Sequence, residues 1–279
     1  MTIPPWPRNA PPPPPAPGWA GRLRLALRLS LMIGVLGILL PLQLALRGGE
    51  RLFCGQSRPF SPYVVQAFFR ASLAIMGIRI SLRGSPMEAA GAVVGNHASW
   101  LDIFVLNAAQ QVFFISKSEV AGWPLIGFLA RAAGTLFIRR EAREARAQTE
   151  ALEARLGAGH PLLFFPEGTS TDGLRVLRFK ATLFEAFFAP GLRERAYIQP
   201  VTLCYEAPRG RDPAFYGWFG DMDFAPHFAA VLAAPRGGCA HLSYHAPLKV
   251  DAFTNRKALA EEAERLVRSG MPKERQGAA

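Results

Sequence analysis

A chain of 279 residues, half of them hydrophobic, is long enough to bury one full core and fits a single catalytic domain with attachments. The formal net charge of +11 favours an anionic partner, but the arginines are scattered and no nucleic-acid-binding module is recognised, so a membrane surface is favoured and nucleic acid is excluded as a partner. Cys54, Cys204 and Cys239 form no C-x-x-C pair, so we expect free thiols in a reducing compartment and no metal site.

The first 76 residues divide into a proline-rich arm and an apolar anchor. Residues 1–21 include the run Pro11–Pro15, and because proline lacks a backbone N–H, we predict a disordered arm. Residues 22–76 are predicted to anchor the chain, since Leu29–Leu46 is apolar on every helical face and long enough to reach across a bilayer core. Tyr63–Met76 is predicted to be a second helix at the interface or completing a hairpin, or an ordinary helix packed on the domain. Arginines flank the anchor on both sides, so they predict no orientation.

After residue 76 the pattern changes to short apolar runs that alternate with helical stretches. This alternation predicts an α/β domain over residues 77–270, with a mixed sheet flanked by helices, followed by a loose tail over residues 271–279. The predicted strands are Ile78–Leu82, Ala92–Gly95, Val112–Ile115, Thr135–Ile138, Leu162–Phe165, Tyr197–Cys204 and Ala240–Tyr244. The predicted helices are Trp100–Gln110, Glu141–Leu156, Lys180–Phe188 and Arg256–Val267.

A histidine and a carboxylate follow the predicted strand Ala92–Gly95 directly. His97 and Asp102 would then lie at the carboxyl edge of the sheet, where ligands bind in open α/β folds. A neutral imidazole can take a proton from an alcohol near neutral pH, and a carboxylate on its other nitrogen fixes the tautomer. We therefore predict that this pair is catalytic. The alternative is that His97 only caps a turn and Asp102 only starts a helix.

A second polar block, Phe165–Ser170, follows another predicted buried strand. Pro166 stops sheet pairing, and Gly168 allows close approach of the backbone to a ligand. If a helix begins after the block, its exposed N–H groups could bind an anion, and otherwise the block is a tight turn with a helix cap. Two such loops at one sheet edge favour a shared site.

These blocks resemble the glycerolipid and lysophospholipid acyltransferase family, whose central member is 1-acylglycerol-3-phosphate acyltransferase. Asn96–Asp102 matches the family's N-H-x-x-x-x-D motif, and Phe165–Ser170 matches its F-P-E-G-T-S motif. Gly134–Arg140 is similar to the G-x-x-F-I-x-R block, and Ile198–Val201 to the late proline-containing strand. Lys117–Phe128 also looks like the family's sequence. Such ordered blocks at compatible spacing imply a glycerol-phosphate acyltransferase-like fold with N-terminal membrane-associated helices.

The resemblance also implies roles for individual residues. His97 is implied to act as general base on the acceptor hydroxyl, supported by Asp102 and without a covalent acyl-enzyme. The implied substrate-binding residues are Glu167, Gly168, Thr169, Arg140 and Lys117. Arginine suits phosphate because its planar fork can donate two hydrogen bonds. Alternatively, Arg140 and Lys117 are ordinary solvated cations.

One position departs from the family pattern. Many members carry an acidic residue before the motif arginine, whereas this chain has Arg139. Arg139 makes the mouth of the pocket more positive if it points inward, which favours an acceptor with a phosphate dianion, and it has no bearing on the acceptor if it points to solvent. The predicted reaction is transfer of a fatty acyl group to 1-acyl-sn-glycerol-3-phosphate, giving phosphatidic acid. The main alternative acceptor is a lyso-ornithine lipid, whose head group has a free amine and no phosphate.

Two other classes of function are weighed against acyl transfer. A non-catalytic membrane-lipid-binding protein would not need both His97 and Asp102, and a serine hydrolase would need a G-x-S-x-G elbow, which the sequence lacks. The acyl donors implied by the resemblance, acyl-CoA or acyl-carrier protein, are cytosolic and act as substrates, and no cofactor is expected. We therefore predict a catalytic domain that faces the cytosol at the inner (cytoplasmic) membrane.

Overall fold

The α/β domain is built on one sheet of eight strands in the computed structural model, which describes residues 14–138 and 145–276. The strands are β1 (Arg79–Arg83), β2 (Gly91–Gly95), β3 (Phe113–Lys117), β4 (Leu136–Ile138), β5 (Leu162–Phe164), β6 (Tyr197–Glu206), β7 (Cys239–Tyr244) and β8 (Leu248–Lys249). Their order is β1-β7-β6-β2-β5-β3-β4, with β8 paired to β6. The strands from β6 to β4 are mutually parallel, whereas β7 and β8 run antiparallel to β6. The predicted mixed α/β sheet is confirmed.

Strand β2 lies at the centre of the sheet and is buried along its whole length. Its sequence GAVVG is a continuous apolar run, as expected for a parallel strand covered on both faces. Val93 contributes to the core on one face, and Ala92 and Val94 contribute to the core on the other. Both neighbours of β2 are parallel to it, so the loop after β2 and the loop after β5 emerge at the same edge.

Eight helices are described and cover both faces of the sheet. They are α1 (Trp19–Phe53), α2 (Ser61–Met76), α3 (Leu101–Ala109), α4 (Ile126–Ala133), α5 (Ala145–Gly157), α6 (Pro190–Arg193), α7 (Phe224–Ala233) and α8 (Arg256–Ser269). Helices α1, α2, α3 and α7 supply residues to the core that contains Val93, while α5 and α8 supply residues to the core that contains Val94. The sheet therefore has a layer of helices on each face.

Helix α1 contains the predicted anchor. Only 11% of its most apolar 18-residue window is buried, so the anchor is not a core helix, and by length and composition α1 could cross a membrane. Helix α2 packs on both α1 and α3. α1 begins at Trp19, within the segment predicted to be disordered, because the last proline of the arm is Pro17 and no residue after it blocks a helix. Residues 1–13 of the predicted arm lie outside the described residues.

Several other elements differ from the sequence-based expectation. The predicted helix Lys180–Phe188 is a 3₁₀ helix over Ala181–Phe188, and α4, α6, α7 and β8 were not predicted. The tail predicted to be loose packs on the domain over residues 271–276, because Met271 is buried in the core and Lys273–Arg275 forms a short 3₁₀ turn, and residues 277–279 lie outside the described residues. The first residues of the predicted helix Glu141–Leu156 lie outside the described residues, and α5 begins at Ala145.

Candidate active site

His97 and Asp102 form a hydrogen-bonded pair at the carboxyl end of β2. Asp102 lies in the first turn of α3 and is fully buried, whereas the side chain of His97 is 21% exposed. Asp102 Oδ2 lies 2.7 Å from His97 Nδ1 and also accepts hydrogen bonds from the backbone N–H groups of Ala98 and Ser99. The carboxylate is therefore held by the same loop that carries the histidine. Within the described part of the chain, His97 Nε2 has no hydrogen-bond partner.

The second oxygen of the same carboxylate is bound by Tyr205. The Tyr205 hydroxyl donates to Asp102 Oδ1 over 2.8 Å, and Tyr205 lies on β6, next to β2. Burial and the neighbouring Asp102 raise the pKa of Tyr205 well above its usual range, so its hydroxyl stays protonated and remains a donor. Sequence reasoning missed this residue. The available signal was a phenol in a strand predicted to be buried, because buried tyrosines need a hydrogen-bond partner.

Two further contacts fix the position of His97. The ring of Phe165 stacks on the imidazole with a centroid distance of 4.1 Å and an interplanar angle of 7°. The Thr171 N–H donates to the His97 carbonyl over 2.8 Å. Both contacts come from the loop after β5, so this loop acts directly on the histidine. No role was predicted for Phe165 or Thr171.

Asn96, the residue before His97, ties β2 to β6. Its side-chain amide donates to the Leu203 carbonyl and its side-chain oxygen accepts from the Leu203 N–H, each over 2.8 Å. The two bonds continue the parallel pairing one residue beyond the end of the ladder at Gly95. They therefore fix the point at which the loop that carries His97 leaves the sheet.

Glu167 faces inward, below the histidine loop. It is only 1% exposed, and its two oxygens accept from the backbone N–H groups of Leu177, over 3.1 Å, and His97, over 3.4 Å. Burial raises the pKa of this carboxyl well above its usual range, although the two N–H groups act in the opposite direction. The sequence-based hypothesis gave Glu167 a direct contact with the acceptor. The geometry joins it to the backbone of both loops, and its predicted contact with the acceptor stays a prediction.

Comparison with known proteins decides the family. The Acyltransferase family model matches residues 79–204, which include both motif blocks. A lyso-ornithine lipid O-acyltransferase from Rhodobacter capsulatus is 55% identical over 271 residues, 97% of this chain and 98% of the relative. This chain belongs to the acyltransferase family. The resemblance inferred from the motif blocks is thereby confirmed.

Two further comparisons place this acyltransferase among its relatives. A 1-acyl-sn-glycerol-3-phosphate acyltransferase from Neisseria gonorrhoeae is 35% identical over 54% of this chain and 58% of the relative. The crystal structure of the 1-acyl-sn-glycerophosphate acyltransferase PlsC from Thermotoga maritima has a TM-score of 0.62, with 22% identity and coverage of 89% of this chain and 93% of that one. At this identity the second comparison shows the fold alone.

Two of the remaining predicted site residues of the acyltransferase are described by the structure. Thr169 is exposed, and Lys117 is an exposed residue at the end of β3, two strands from β2 on the same edge of the sheet. Arg140 and its neighbour Arg139 lie outside the described residues, shortly after β4. These placements leave the predicted binding roles of Thr169, Lys117 and Arg140 untested.

Gly168 allows a close approach, but the partner is a side chain of the protein. With a φ of +73°, a Cβ at this position would lie 2.6 Å from Lys180 Nζ. No helix begins in the stretch 171–180, so the conditional prediction of a helix-terminus anion site fails here. The cation that lies against Gly168 is Lys180, which sequence reasoning did not single out.

Proposed function

We propose that this acyltransferase transfers a fatty acyl group from acyl-CoA or acyl-carrier protein to the free hydroxyl of a lysolipid, with a lyso-ornithine lipid as its preferred acceptor. The observation that carries the chemistry is the 2.7 Å contact between His97 Nδ1 and a buried Asp102, on a ring that is still partly exposed. A carboxylate on Nδ1 leaves Nε2 as the proton acceptor, the arrangement required of a general base.

The reaction needs no covalent enzyme intermediate. His97 Nε2 takes the hydroxyl proton as the hydroxyl oxygen forms a bond to the thioester carbonyl carbon. The tetrahedral intermediate then collapses, the carbon–sulfur bond breaks, and the leaving thiolate takes the proton from the imidazolium. Asp102 stabilises the imidazolium that exists between these two steps, and the stacked Phe165 restricts rotation of the imidazole ring.

The choice of acceptor rests on the relatives. The relative named for lyso-ornithine lipid is 55% identical over nearly the whole chain, whereas the one named for 1-acylglycerol-3-phosphate is 35% identical over about half of it. The sequence-based preference for a phosphate-bearing acceptor depended on Arg139, which lies outside the described residues. We therefore favour the lyso-ornithine lipid over lysophosphatidic acid.

A direct comparison of acceptors tests this choice. Purified enzyme is assayed with lyso-ornithine lipid and with lysophosphatidic acid, each with acyl-CoA and with acyl-carrier protein. We expect kcat/KM to be higher for the lyso-ornithine lipid, and equal or higher kcat/KM for lysophosphatidic acid would overturn the acceptor assignment. His97→Ala is the control for the chemistry, because wild-type product formation by this variant would remove His97 from the mechanism.

The enzyme is proposed to act at the cytoplasmic membrane, with α1 inserted along one leaflet and the catalytic domain in the cytosol. Arg24 and Arg28 of α1 donate to carbonyls at the end of α7, and Gln43 of α1 donates to the Ala132 carbonyl of α4. About 22 Å of helix separates Gln43 from Arg28 and about 29 Å separates it from Arg24, the latter nearly the thickness of a bilayer core. A helix attached to its own domain over that length favours lying on the membrane rather than crossing it.

A further inference from the structure

An exposed apolar cluster lies between β3 and the body of α4. After β3 the chain makes a 3₁₀ turn over Ser118–Gly122 and enters α4 at Ile126. Four large apolar side chains between residues 123 and 128 are exposed by 41–64%: Trp123, Leu125, Ile126 and Phe128. We call residues 123–128 the apolar knob. Single exposed apolar residues are ordinary on a protein surface, but four within six positions mark an interaction site.

The apolar knob is held in a fixed conformation. Leu125 is the only non-glycine residue with a positive φ among the described residues, at φ 59° and ψ −54°. Gly127 donates to the Trp123 carbonyl over 2.9 Å, and Arg131 donates to the Ala121 carbonyl over 2.7 Å, so the loop is closed on itself. A Cβ on Gly127 would collide with the Ala121 carbonyl. Backbone strain that presents a leucine to the outside is expected at a binding surface.

The position of the apolar knob connects it to the active site. It follows the carboxyl end of β3 after one 3₁₀ turn. Only β5 lies between β3 and β2, so these two strands are about 10 Å apart. Phe114 of β3 lies 6.1 Å, centroid to centroid, from Phe165, whose ring stacks on His97. Ring contacts through Phe114 and Phe165 therefore link β3, the strand that precedes the apolar knob, to His97.

The same helix also joins the apolar knob to the anchor. Leu129, Ala132 and Ala133 of α4 line an apolar groove of about 80 Å³ together with residues of α1 and α2. The α1 residues of this groove are Leu36, Leu39, Leu40 and Gln43, which belong to the apolar anchor segment. The exposed apolar surface thus continues from α1 through α4 to the apolar knob.

We propose that the apolar knob is a second membrane-insertion element, which enters the same leaflet as α1 and sets the carboxyl edge of the sheet against the lipid surface. Tryptophan is favoured at the membrane interface, and the exposed cations Arg131 and Lys117 on either side fit anionic head groups. Because both α1 and the apolar knob contact the leaflet, the edge that carries His97 faces the lipid, and the acceptor hydroxyl reaches His97 while the acceptor stays in the bilayer. This purpose rests on the proposed function, whereas the insertion itself is independent of it.

Site-specific fluorescence on the full chain tests the insertion. An environment-sensitive dye is attached at Leu125→Cys after Cys54 and Cys204 have been replaced by serine. Lys257→Cys on α8, in the opposite helical layer, is the matched control. With vesicles of phosphatidylethanolamine and phosphatidylglycerol, we expect a blue shift at position 125 that is quenched by acyl-chain nitroxide lipid, and no change at position 257. Unchanged emission at position 125 on vesicles that bind the chain would overturn the proposal.

The other possible occupants of the surface give different results. A blue shift without vesicles that grows with protein concentration would assign the apolar knob to contact between two copies of the chain. A shift produced by acyl-carrier protein alone would assign it to donor docking. Either result would overturn membrane insertion.

An activity ratio provides the second measurement. In the double variant Leu125→Ser and Phe128→Ser, we expect the ratio of turnover in vesicles to turnover in detergent micelles to fall about fivefold or more, because less apolar surface anchors the edge. An unchanged ratio would contradict the proposal. If neither proposed acceptor is turned over by the wild type in any form, the proposed function fails, while the fluorescence experiment still decides the insertion.

Discussion

The hydrogen bond from Tyr205 to Asp102 can be tested by removing a single oxygen atom. Tyr205→Phe removes the hydrogen bond to Asp102 Oδ1 and keeps the buried ring. With one donor fewer, the carboxylate holds the imidazolium of His97 more strongly, so the acid limb of the kcat–pH profile should move to higher pH. We also expect kcat to fall about three- to tenfold. A hydrogen bond to a charged group contributes roughly 1.5–3 kcal/mol to stability, and part of this energy holds the Asp102 carboxylate in the orientation that positions His97.

Tyr216→Phe is the matched control for that variant. Tyr216 is a buried neighbour whose ring lies 5.3 Å from that of Tyr205, but its hydroxyl binds the Gly238 N–H and not Asp102. Profiles measured from pH 5 to 9 should shift for Tyr205→Phe alone. Equal losses in both variants without any shift of the acid limb would reduce Tyr205 to a packing residue.

Glu167 gives a pH-dependent test of stability. Its folded-state pKa is raised by burial, so the folded protein binds the proton more tightly than the unfolded chain does. Above the unfolded value of about 4.5, ionisation therefore costs the wild type stability, and this cost is absent in Glu167→Gln. We expect the difference in Tm between wild type and variant to move in favour of the variant as pH rises from 5 to 8. A constant difference over this range would contradict the burial of a titrating carboxyl.

The same substitution should lower activity. A side-chain N–H₂ replaces one of the acceptor oxygens and faces the N–H of either Leu177 or His97, so one loop loses its anchor. We expect kcat to fall about tenfold or more, with a smaller change in the KM of the acceptor. A change confined to the KM of the acceptor would instead support the contact with acceptor that the sequence suggested.

For individual residues, the sequence predicts contacts within one loop better than contacts between residues on distant strands. His97 and Asp102 are five positions apart, so a strand followed by a helix brings them together. Tyr205 is 103 positions from Asp102, and only the order of the strands places β6 beside β2. The burial of Glu167 was not predictable either, because it depends on the path of the chain as far as Leu177.

Among the secondary-structure elements, β5 is preceded by a buried histidine, His160. It stands two residues before β5, is 4% exposed, and packs its ring on Phe113 at 4.4 Å. Burial, helped by the nearby cations of Arg155 and Arg58, lowers the pKa of His160 to about 4. The unfolded chain therefore binds a proton between about pH 6.5 and 4 that the folded protein does not bind.

His160→Leu should remove this sensitivity to acid. The wild type is expected to lose up to about 3 kcal/mol of stability as pH falls from 6.5 to 4, because a difference of one between the folded and unfolded pKa values corresponds to about 1.4 kcal/mol. The variant should be spared that loss. Denaturant unfolding in detergent at several pH values measures the difference. His241→Leu, at a partly exposed position on β7, is the control, and the same acid dependence in both variants would contradict the assignment.

The elements themselves were largely predictable where their apolar period was clear. The short runs around Val93, Leu163 and Leu242 became strands because alternating positions could be buried on two faces. Helix α7 was missed because its ten residues contain Pro226 and form a short apolar run with no helical period. Its place in the fold is set by tertiary contacts, including the bonds from Arg28 of α1 to the carbonyls of Leu232 and Ala234.

For the whole molecule, the composition of α1 leaves open whether the helix lies along one leaflet or crosses the membrane. The arginines on both sides of Leu29–Leu46 could not orient it, but the polar contacts of α1 bear on the question. A crossing along the bilayer normal would place the partners of Arg24 and Gln43, both in the catalytic domain, at opposite faces of the membrane. The domain would then have to lie within the lipid, where its exposed charges are costly.

Labelling from one side of the membrane decides between the two arrangements. In a chain with its native cysteines replaced, Ala16→Cys reports the segment before α1 and Lys257→Cys reports the catalytic domain. If α1 lies along one leaflet, a membrane-impermeant maleimide should label both positions in inverted vesicles and neither position in sealed right-side-out vesicles. Opposite accessibility of the two positions would mean that α1 crosses the bilayer and that its contacts with α4 and α7 do not persist there. Labelling of both positions only in right-side-out vesicles would retain the one-leaflet arrangement but place the catalytic domain on the outer face, away from the cytosolic acyl donors.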